Sequence, residues 1–524
     1  MRKFNVTGHC VPEEDYMVDI SGKLEQIIRL IDRRCYFTIN RSRQHGKTTT
    51  LSMLQKRIAG DYTCARISFE GVDDEDFKSS DDFCRMFVEL IHNSLKHTSA
   101  TQEYIESWQA DGISNFRELG KHIAKMCKDR EIVLMIDEVD KASNNTVFLH
   151  FLGMLREKFL ARKDGMDYTF HSVILAGVYD IKNIKQKMIS EGTHVPETKE
   201  SKIYNSPWNI AVNFNVDMSF SAVEISSMLV EYEAGHNTGM DIMAISDEIY
   251  RFTGGYPFLV SRICQAIDEE LAKDWTPGGI QNAVKIILDE KNTLFDDIYK
   301  NLENNKDLYS VIYDILILGE SYGFKIGNPV LGLAHMYGII KNVSGTVAIS
   351  NLIFEKIIYE YFISIELTNA KKQKSTGIPA SSFINNGRLN MQLCLEKFTA
   401  HYYNMYSKKD LKFLEREGRM LFLTFLSPLL NGHGYSHIES ETRNQQRMDI
   451  VLDYGHEQFI IELKVWYGDS RHQQAYEQLL GYMNSKNAQA GYLLTFDFRK
   501  EENKERRAKW VEFEGGKRIF DVIL

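Results

Sequence analysis

Through the first two hundred residues, short apolar runs alternate with longer stretches of helical periodicity. KLEQIIRLIDR sets its apolar residues on one helical face, CYFTIN is a short apolar strand, and the chain from Gly46 onward turns helical again. ARISFE, EIVLMIDEVD and HSVILAG read as three more strands, and NIAVNFNV as a fifth. Strands separated by helix-length segments predict a parallel sheet with helices on both faces. From 220 to 290 the pattern is helical. Ser221 and Glu224 have capping-box spacing at its start, and TGGYP (253–257) interrupts it before FLVSRICQAIDEEL. Between 305 and 365, helices precede two short strands, GIIKNV and TVAISN, around a turn at Gly345; that order suits a winged helix. The polar stretch 367–388 reads as a linker. Residues 389–524 then read as helix, strand hairpin, helix and strand. The expected divisions are 1–219, 220–295, 296–366, the linker 367–388, and 389–524.

Composition narrows the class. A chain of 524 residues exceeds one core, so two to four domains are expected. Hydrophobic content of 43% and charged content of 26% are those of ordinary globular protein. A net charge of -9 argues against a broadly basic nucleic-acid coat and leaves room for a local basic groove. The seven cysteines are scattered without a C-x-x-C pair, which suggests reduced thiols rather than a disulfide framework or a cysteine zinc site. The first residues lack a signal-peptide core, and no run reaches the ~18 apolar residues of a membrane span. A cytoplasmic protein with no membrane partner is expected. The mixed-charge run 499–507 (RKEENKERR) reads as a solvated helix face.

Two segments carry chemistry. RSRQHGKTTT follows a strand and supplies Gly46, Lys47, Thr48 and Thr49. A loop of this kind wraps backbone N–H groups around phosphates, adds a lysine, and offers a hydroxyl to Mg2+. The usual pattern has glycine at 41, where this chain has Arg41. IVLMIDEVD ends in Asp137 and Glu138; Asp137 would hold the metal's water shell and Glu138 would polarise the attacking water. The plainer alternative is a solvated strand end.

The second segment is FIIELKVW, where Glu462 and Lys464 fall on one face of a strand. Clustered carboxylates can hold Mg2+, or Mn2+ in its place, and a lysine can orient water and offset charge on the phosphate. Asp449 lies thirteen residues earlier, a fitting distance for the preceding strand of a hairpin that turns at DYGHEQ. Glu417 is a candidate additional ligand or organiser, with Glu415 as its competitor. Gln478 and Tyr482, four apart, share one helix face that could overlook the phosphate. A surface ion pair is the alternative for Glu462 and Lys464, but the flanks FII and VW indicate a buried strand. His433, His437 and His472 match no zinc spacing and read as ordinary polar or loop residues.

The stretch from Asn5 to Leu54 (NVTGHC…LSML) resembles the AAA-like ATPase domain of bacterial proteins in which that domain precedes a PD-(D/E)XK nuclease. The resemblance covers most of 1–365 and includes Arg43-Gln44 where a usual loop has glycine. The GGYP turn is similar to the lid motif of STAND-type ATPases, which act more often as nucleotide-dependent switches than as fast motors. This resemblance implies ATP at Lys47 and Thr48, with Asp137 and Glu138 opposite. It places Asp19 either in the pocket or at a helix N-cap. Arg41 and Arg43 read equally as phosphate contacts or surface arginines, and no arginine finger is evident, so binding is better supported than hydrolysis. The order Glu417, Asp449, Glu462-x-Lys464, Gln478-x-x-x-Tyr482 resembles the PD-(D/E)XK superfamily with a RecB-type Q-x-x-x-Y element, although Met448 stands where the family has proline.

The resulting expectation is a multidomain α/β chain: a P-loop parallel sheet, a helical lid, a winged helix, and a restriction-endonuclease-like α/β/α domain. The expected function is an ATP-regulated, Mg2+-dependent nuclease on nucleic acid, DNA before RNA, in genome defence or mobile-element biology. The competing expectation is a nucleotide-gated sensor or DNA-binding protein whose nuclease-like fold binds without cutting. A homo-oligomer and an unknown activating partner stay open.

Overall fold

The computed structural model describes residues 2–178, 208–370, 383–405, 418–426, 434–437, 450–499 and 507–524, short of isolated positions within these spans. The chain forms two compact units, Met1–Glu290 with Ala334–Gly338, and Lys291–Leu333 with Ile339–Leu524.

The first unit opens with α1 (Ser21–Asp32), β1 (Tyr36–Asn40), α2 (Lys47–Ile58) and β2 (Thr63–Ser68). It continues with α3 (Ser80–Leu95), α4 (Gln102–Glu106), α5 (Phe116–Cys127), β3 (Ile132–Asp137), α6 (Thr146–Lys163) and β4 (Ser172–Gly177). The strands pair in the order β1-β4-β3-β2, all parallel. Every residue of β3 and β4 is buried, as a sheet covered on both faces requires. Asn40 pairs with Gly177 and Ser68 with Asp137, so the carboxyl ends of the strands share one edge. That edge is where an open α/β sheet binds its ligand.

The fifth strand expected over NIAVNFNV is not formed. It reduces to one bridge, Phe37 to Val212, with the Val212 N–H donating to the Tyr36 carbonyl at 2.9 Å. Beyond it, Arg41 donates to the Val216 carbonyl at 2.7 Å, so a guanidinium takes an acceptor that a ladder would have used. Phe214 stacks on Phe37 at 5.9 Å and keeps the segment against the sheet by packing instead.

Four helices follow: α7 (Ala222–His236), α8 (Ile242–Thr253), α9 (Pro257–Glu269) and α10 (Pro277–Asp289). The capping box at Ser221 and Glu224 is present. Glu224 also pairs with Lys23 at 2.6 Å, which ties α7 to α1. Between α8 and α9 the chain turns through Gly254 and Gly255, both left-handed, with Pro257 opening α9.

The second unit begins with α11 (Thr293–Asn304) and α12 (Lys306–Tyr313); α13 (Pro329–Met336) bridges the division. An antiparallel pair, β5 (Ile340–Val343) and β6 (Thr346–Ile349), leads into α14 (Leu352–Ala370). The stretch expected as linker is therefore helical up to Ala370, and it also holds β7 (Ile384–Asn385) and the start of β8 (Arg388–Leu389); 371–382 lie outside the described residues. After α15 (Met391–Met405) come β9 (Gly434–His437), β10 (Ile450–Tyr454), β11 (Glu457–Val465), α16 (Asp469–Ser485), β12 (Ala490–Phe496), β13 (Arg507–Glu512) and β14 (Arg518–Ile523). They build a six-stranded sheet in the order β13-β14-β12-β11-β10-β9. β11, β12 and β14 run parallel, and the hairpin about DYGHEQ pairs Tyr454 with Glu457. Leu479, Tyr482 and Met483 of α16 pack on one face with Ile460 and Leu493. On the other face, Phe496 meets Phe398 and Tyr402 of α15. Of the run expected as a solvated helix, Arg507 instead opens β13, and 500–506 lie outside the described residues. Among the described residues no helix is long and apolar enough to cross a membrane.

Gly255 tests the turn that fixes α9. It has φ +75°, and a Cβ there would lie 1.8 Å from the Phe220 carbonyl oxygen. Gly255→Ala should cost about 3 kcal/mol, measured as a lower urea midpoint for unfolding of the first unit.

Candidate nucleotide site and metal centre

The loop after β1 winds tightly because two of its residues, Gln44 and Gly46, are left-handed. Gly46 is the N-cap of α2, so the first amides of that helix point out of the loop. Lys47, buried, donates to the carbonyls of Arg41 at 3.0 Å and Ser42 at 3.1 Å. Burial pulls its pKa down, and the carboxylates of Glu138, Asp140 and Asp137 oppose that. Thr48 donates its hydroxyl to Asp137 at 2.7 Å, so the α2 hydroxyl and the β3 carboxylate meet across the edge of the sheet. These are hard oxygen donors of the kind Mg2+ takes. Glu138 has φ 53°; burial raises its carboxyl above the ordinary range, against the pull of Lys47.

Other expected residues are placed differently. The Thr49 hydroxyl accepts the Cys10 N–H at 3.1 Å, which pins the N-terminal segment to α2. Asp19 accepts the Ser21 N–H at 2.9 Å, which is helix-entry geometry. Arg41 is half-buried rather than on the surface. Its guanidinium holds the Asn40 and Val216 carbonyls and lies 5.5 Å from the Phe214 ring.

Sequence reasoning missed a set of contacts that lock the loop from behind. Tyr256 of the GGYP turn donates to the Arg43 carbonyl and lies 3.1 Å from the Ser42 hydroxyl. A Cβ on Gly46 would lie 3.9 Å from Pro257. His45 is buried edge-on to Tyr256 at 4.7 Å, with its two ring nitrogens 3.3 Å from Ser42 Oγ and 3.4 Å from Ser219 Oγ. Gly338 closes the arrangement: a Cβ there would come within 2.7 Å of Ser42 Oγ. A histidine immediately before Gly46-Lys47 was the one local signal for this cluster.

In the second unit, Glu462 is fully buried at the centre of β11, with Lys464 Nζ 2.7 Å from its Oε1. Glu462 pairs with Leu493 and Lys464 with Thr495 on the parallel neighbour β12. Ile460 and Leu493 pack against Leu479 and Tyr482, so the face carrying Glu462 is the one α16 covers. On that helix Gln478 donates to the Tyr482 hydroxyl at 2.5 Å. Ile450 of β10 pairs with Ile461, the residue before Glu462. Asp449, Glu417, Glu415 and His433 lie outside the described residues. His437 falls on β9. His472 is not an ordinary loop residue; it is buried in the first turns of α16, 3.2 Å from Asp521. A buried carboxylate beside an ammonium suits a divalent-cation ligand. Among the described residues, however, no group of three or more His, Cys, Asp or Glu is assembled for a metal.

Comparison with known proteins matches both regions. A model of the AAA-like domain matches residues 21–316, and one of the PD-(D/E)XK nuclease superfamily matches 435–508. An uncharacterised WD repeat-containing protein of Synechocystis is 24% identical over 301 residues, which make up 54% of this chain and 23% of that protein. The chain therefore spans less than a quarter of that relative. Among solved structures, the Walker-type ATPase of Pyrococcus abyssi is 13% identical with a TM-score of 0.46, over 68% of this chain and 99% of that one. The ORC1 protein of Aeropyrum pernix in complex with DNA is 11% identical with a TM-score of 0.32, over 70% and 98%.

His45 yields a pH prediction. Burial, with the charges of Arg41, Lys47 and Lys23 nearby, pushes its imidazole down to about 3 from 6.5, so the folded loop holds it neutral. The unfolded chain takes up that proton near pH 6.5, so stability is full above that pH and declines as the pH falls toward 3. The decline is about 1.4 kcal/mol per pH unit. His45→Gln should remove this slope between pH 6.5 and 5 in urea unfolding; an unchanged slope would assign it to other groups.

Proposed function

We propose that this chain, which belongs to the AAA-like domain family and carries a PD-(D/E)XK nuclease domain at its C-terminal end, is an ATP-controlled, Mg2+-dependent nuclease acting on nucleic acid, DNA before RNA. The observation that carries the reading is Glu462, fully buried in mid-sheet with the half-buried Lys464 beside it, on the face covered by the helix that bears Gln478 and Tyr482. A charge buried so deeply is expensive unless it serves a bound ion or a reaction.

In this reading Glu462 and Asp449 would hold Mg2+, or Mn2+ in its place, with Glu417 as an additional ligand or organiser. A divalent ion held there would polarise a phosphoryl oxygen and make a bound water more acidic. Lys464 orients the attacking water and offsets charge gathering on the phosphate. Gln478 and Tyr482 align the backbone of the strand to be cut.

At the other site Gly46, Lys47, Thr48 and Thr49 take the phosphates of ATP, and Thr48 with Asp137 holds its Mg2+. Glu138, with its raised carboxyl, accepts the proton of the water that attacks the γ-phosphate. Lys47 now donates to two carbonyls of its own loop, and phosphate oxygens would compete for it. The contact of Tyr256 with the same loop ties that loop to the helices that follow residue 220, which act as a lid; a winged helix over 296–366 follows them in the chain. This built-in coupling favours a switch over a motor. It also supports the second reading, a nucleotide-gated sensor whose nuclease-like fold binds without cutting. The setting is cytoplasmic, in genome defence or mobile-element biology, with self-association or an activating partner as further control.

The test is cleavage of supercoiled, linear and single-stranded DNA and of RNA, with Mg2+ or Mn2+, with and without ATP. Glu462→Ala should lower metal-dependent cutting about 100-fold or more while leaving ATP binding intact. Lys47→Ala should weaken ATP binding at least about tenfold and remove the effect of ATP on cutting. ATP binding without cleavage under any of these conditions would transfer the conclusion to the sensor.

A further inference from the structure

Neither site uses a further buried polar cluster of the second unit. Asp521 of β14 is fully buried, and three side chains converge on it. Tyr476 donates its hydroxyl at 2.7 Å, Arg507 of β13 donates through Nε at 2.7 Å, and His472 Nε2 lies 3.2 Å away. Arg507 also reaches the Tyr476 hydroxyl at 3.3 Å. The other nitrogen of His472 lies 3.5 Å from Thr495 Oγ1. Burial works to raise the Asp521 carboxyl; the hydrogen bonds from His472 and Tyr476 and the charge of Arg507 outweigh it and hold the carboxyl below its ordinary range. The group therefore stays an anion, with all three donors gathered on Oδ2.

Strand register ties this cluster to the candidate metal centre. Glu462 pairs with Leu493, and Leu493 pairs with Asp521, so the two carboxylates stand level on one face, two strands apart. Lys464 pairs with Thr495, the residue that meets His472. His472 and Tyr476 occupy the first half of α16, and Gln478 and Tyr482 follow them on the same helix. The elements that bear Glu462 and Lys464 are strands locked by the sheet. The element that bears Gln478 and Tyr482 is a helix, held to the sheet by the apolar packing of Leu479, Tyr482 and Met483, which polar contacts can sharpen to one register.

We propose that Asp521 is the positioning residue of the nuclease site: by holding His472, Tyr476 and Arg507 together it pins α16 to β14 and β13, and so fixes where Gln478 and Tyr482 stand over Glu462. This rests on the reading of Glu462 and Lys464 as a metal centre. A buried anion that orders several donors from different elements supplies geometric specificity that apolar packing alone leaves loose. Asp521 does not touch substrate in this scheme and acts only through the helix.

The test uses the full chain with Asp521→Asn and Tyr476→Phe, the second removing one hydroxyl while keeping the ring in the core. Three quantities are read: hydrogen exchange of the α16 amides, Mn2+ affinity, and kcat and KM on DNA. The expected result is exchange at least about tenfold faster in α16 alone, with kcat down about tenfold or more, and KM and Mn2+ affinity within about twofold of wild type. Unchanged α16 exchange, or a rise in KM at constant kcat, would overturn the proposal. If Asp521→Asn does not fold, Tyr476→Phe decides alone. If the wild-type chain cuts nothing, the nuclease reading falls, and the exchange data still show whether Asp521 sets the register of α16.

Discussion

A charge taken out of water must be met within hydrogen-bond range, and that requirement governs both halves of this chain. Lys47 is satisfied by carbonyls of its own loop, Asp137 by the Thr48 hydroxyl, Glu462 by Lys464, and Asp521 by three donors at once. At Asp137 and Asp521 the partners come from distant parts of the chain, so those pairings fix a tertiary relation that apolar contact would leave approximate. The apolar sheets supply most of the burial. The buried charges decide which residues stand together at the edges and faces where chemistry is possible.

The strength of this device shows in how the phosphate loop is held. Arg41, Ser42, Arg43 and His45 all contact residues more than 170 positions later in the chain, Val216, Tyr256 and Ser219. A loop so fastened at its back has one side left to respond, the side that carries the α2 amides and Lys47. Nucleotide chemistry on one side and helix packing on the other then become two demands on the same loop.

What could be read from sequence follows from the range of each interaction. The four core strands were legible because runs such as IVLMID are apolar throughout, and a sheet covered on both faces demands that. The pairing of Glu462 with Lys464 was legible because strand periodicity alone puts them on one face. NIAVNFNV misled because its apolar residues pack on the sheet without joining its ladder, and the arginine that takes the acceptor lies 175 residues away in sequence. His472 looked ordinary because its partner, Asp521, is 49 residues downstream, on a strand with no motif of its own. The extra length of α14 beyond residue 366 was hidden by a polar composition that suits a helix end as well as a linker.

Gly338 has a consequence for how such a chain can be divided. By its contacts the short piece Ala334–Gly338 belongs to the first unit, although the residues on either side of it belong to the second. The polypeptide therefore passes between the units three times, at 290, 333 and 338, rather than once. The AAA-like match stops at 316, short of the glycine that fills the space beside Ser42. The part that is portable as a gene fragment thus does not coincide with the part that is complete as a folded body. A shuffled or truncated version ending before 338 would carry the whole phosphate loop and lack the wall behind it. Recombination that swaps effector domains in this architecture is expected to leave its scars downstream of that residue, where the chain has finished its last visit to the first unit.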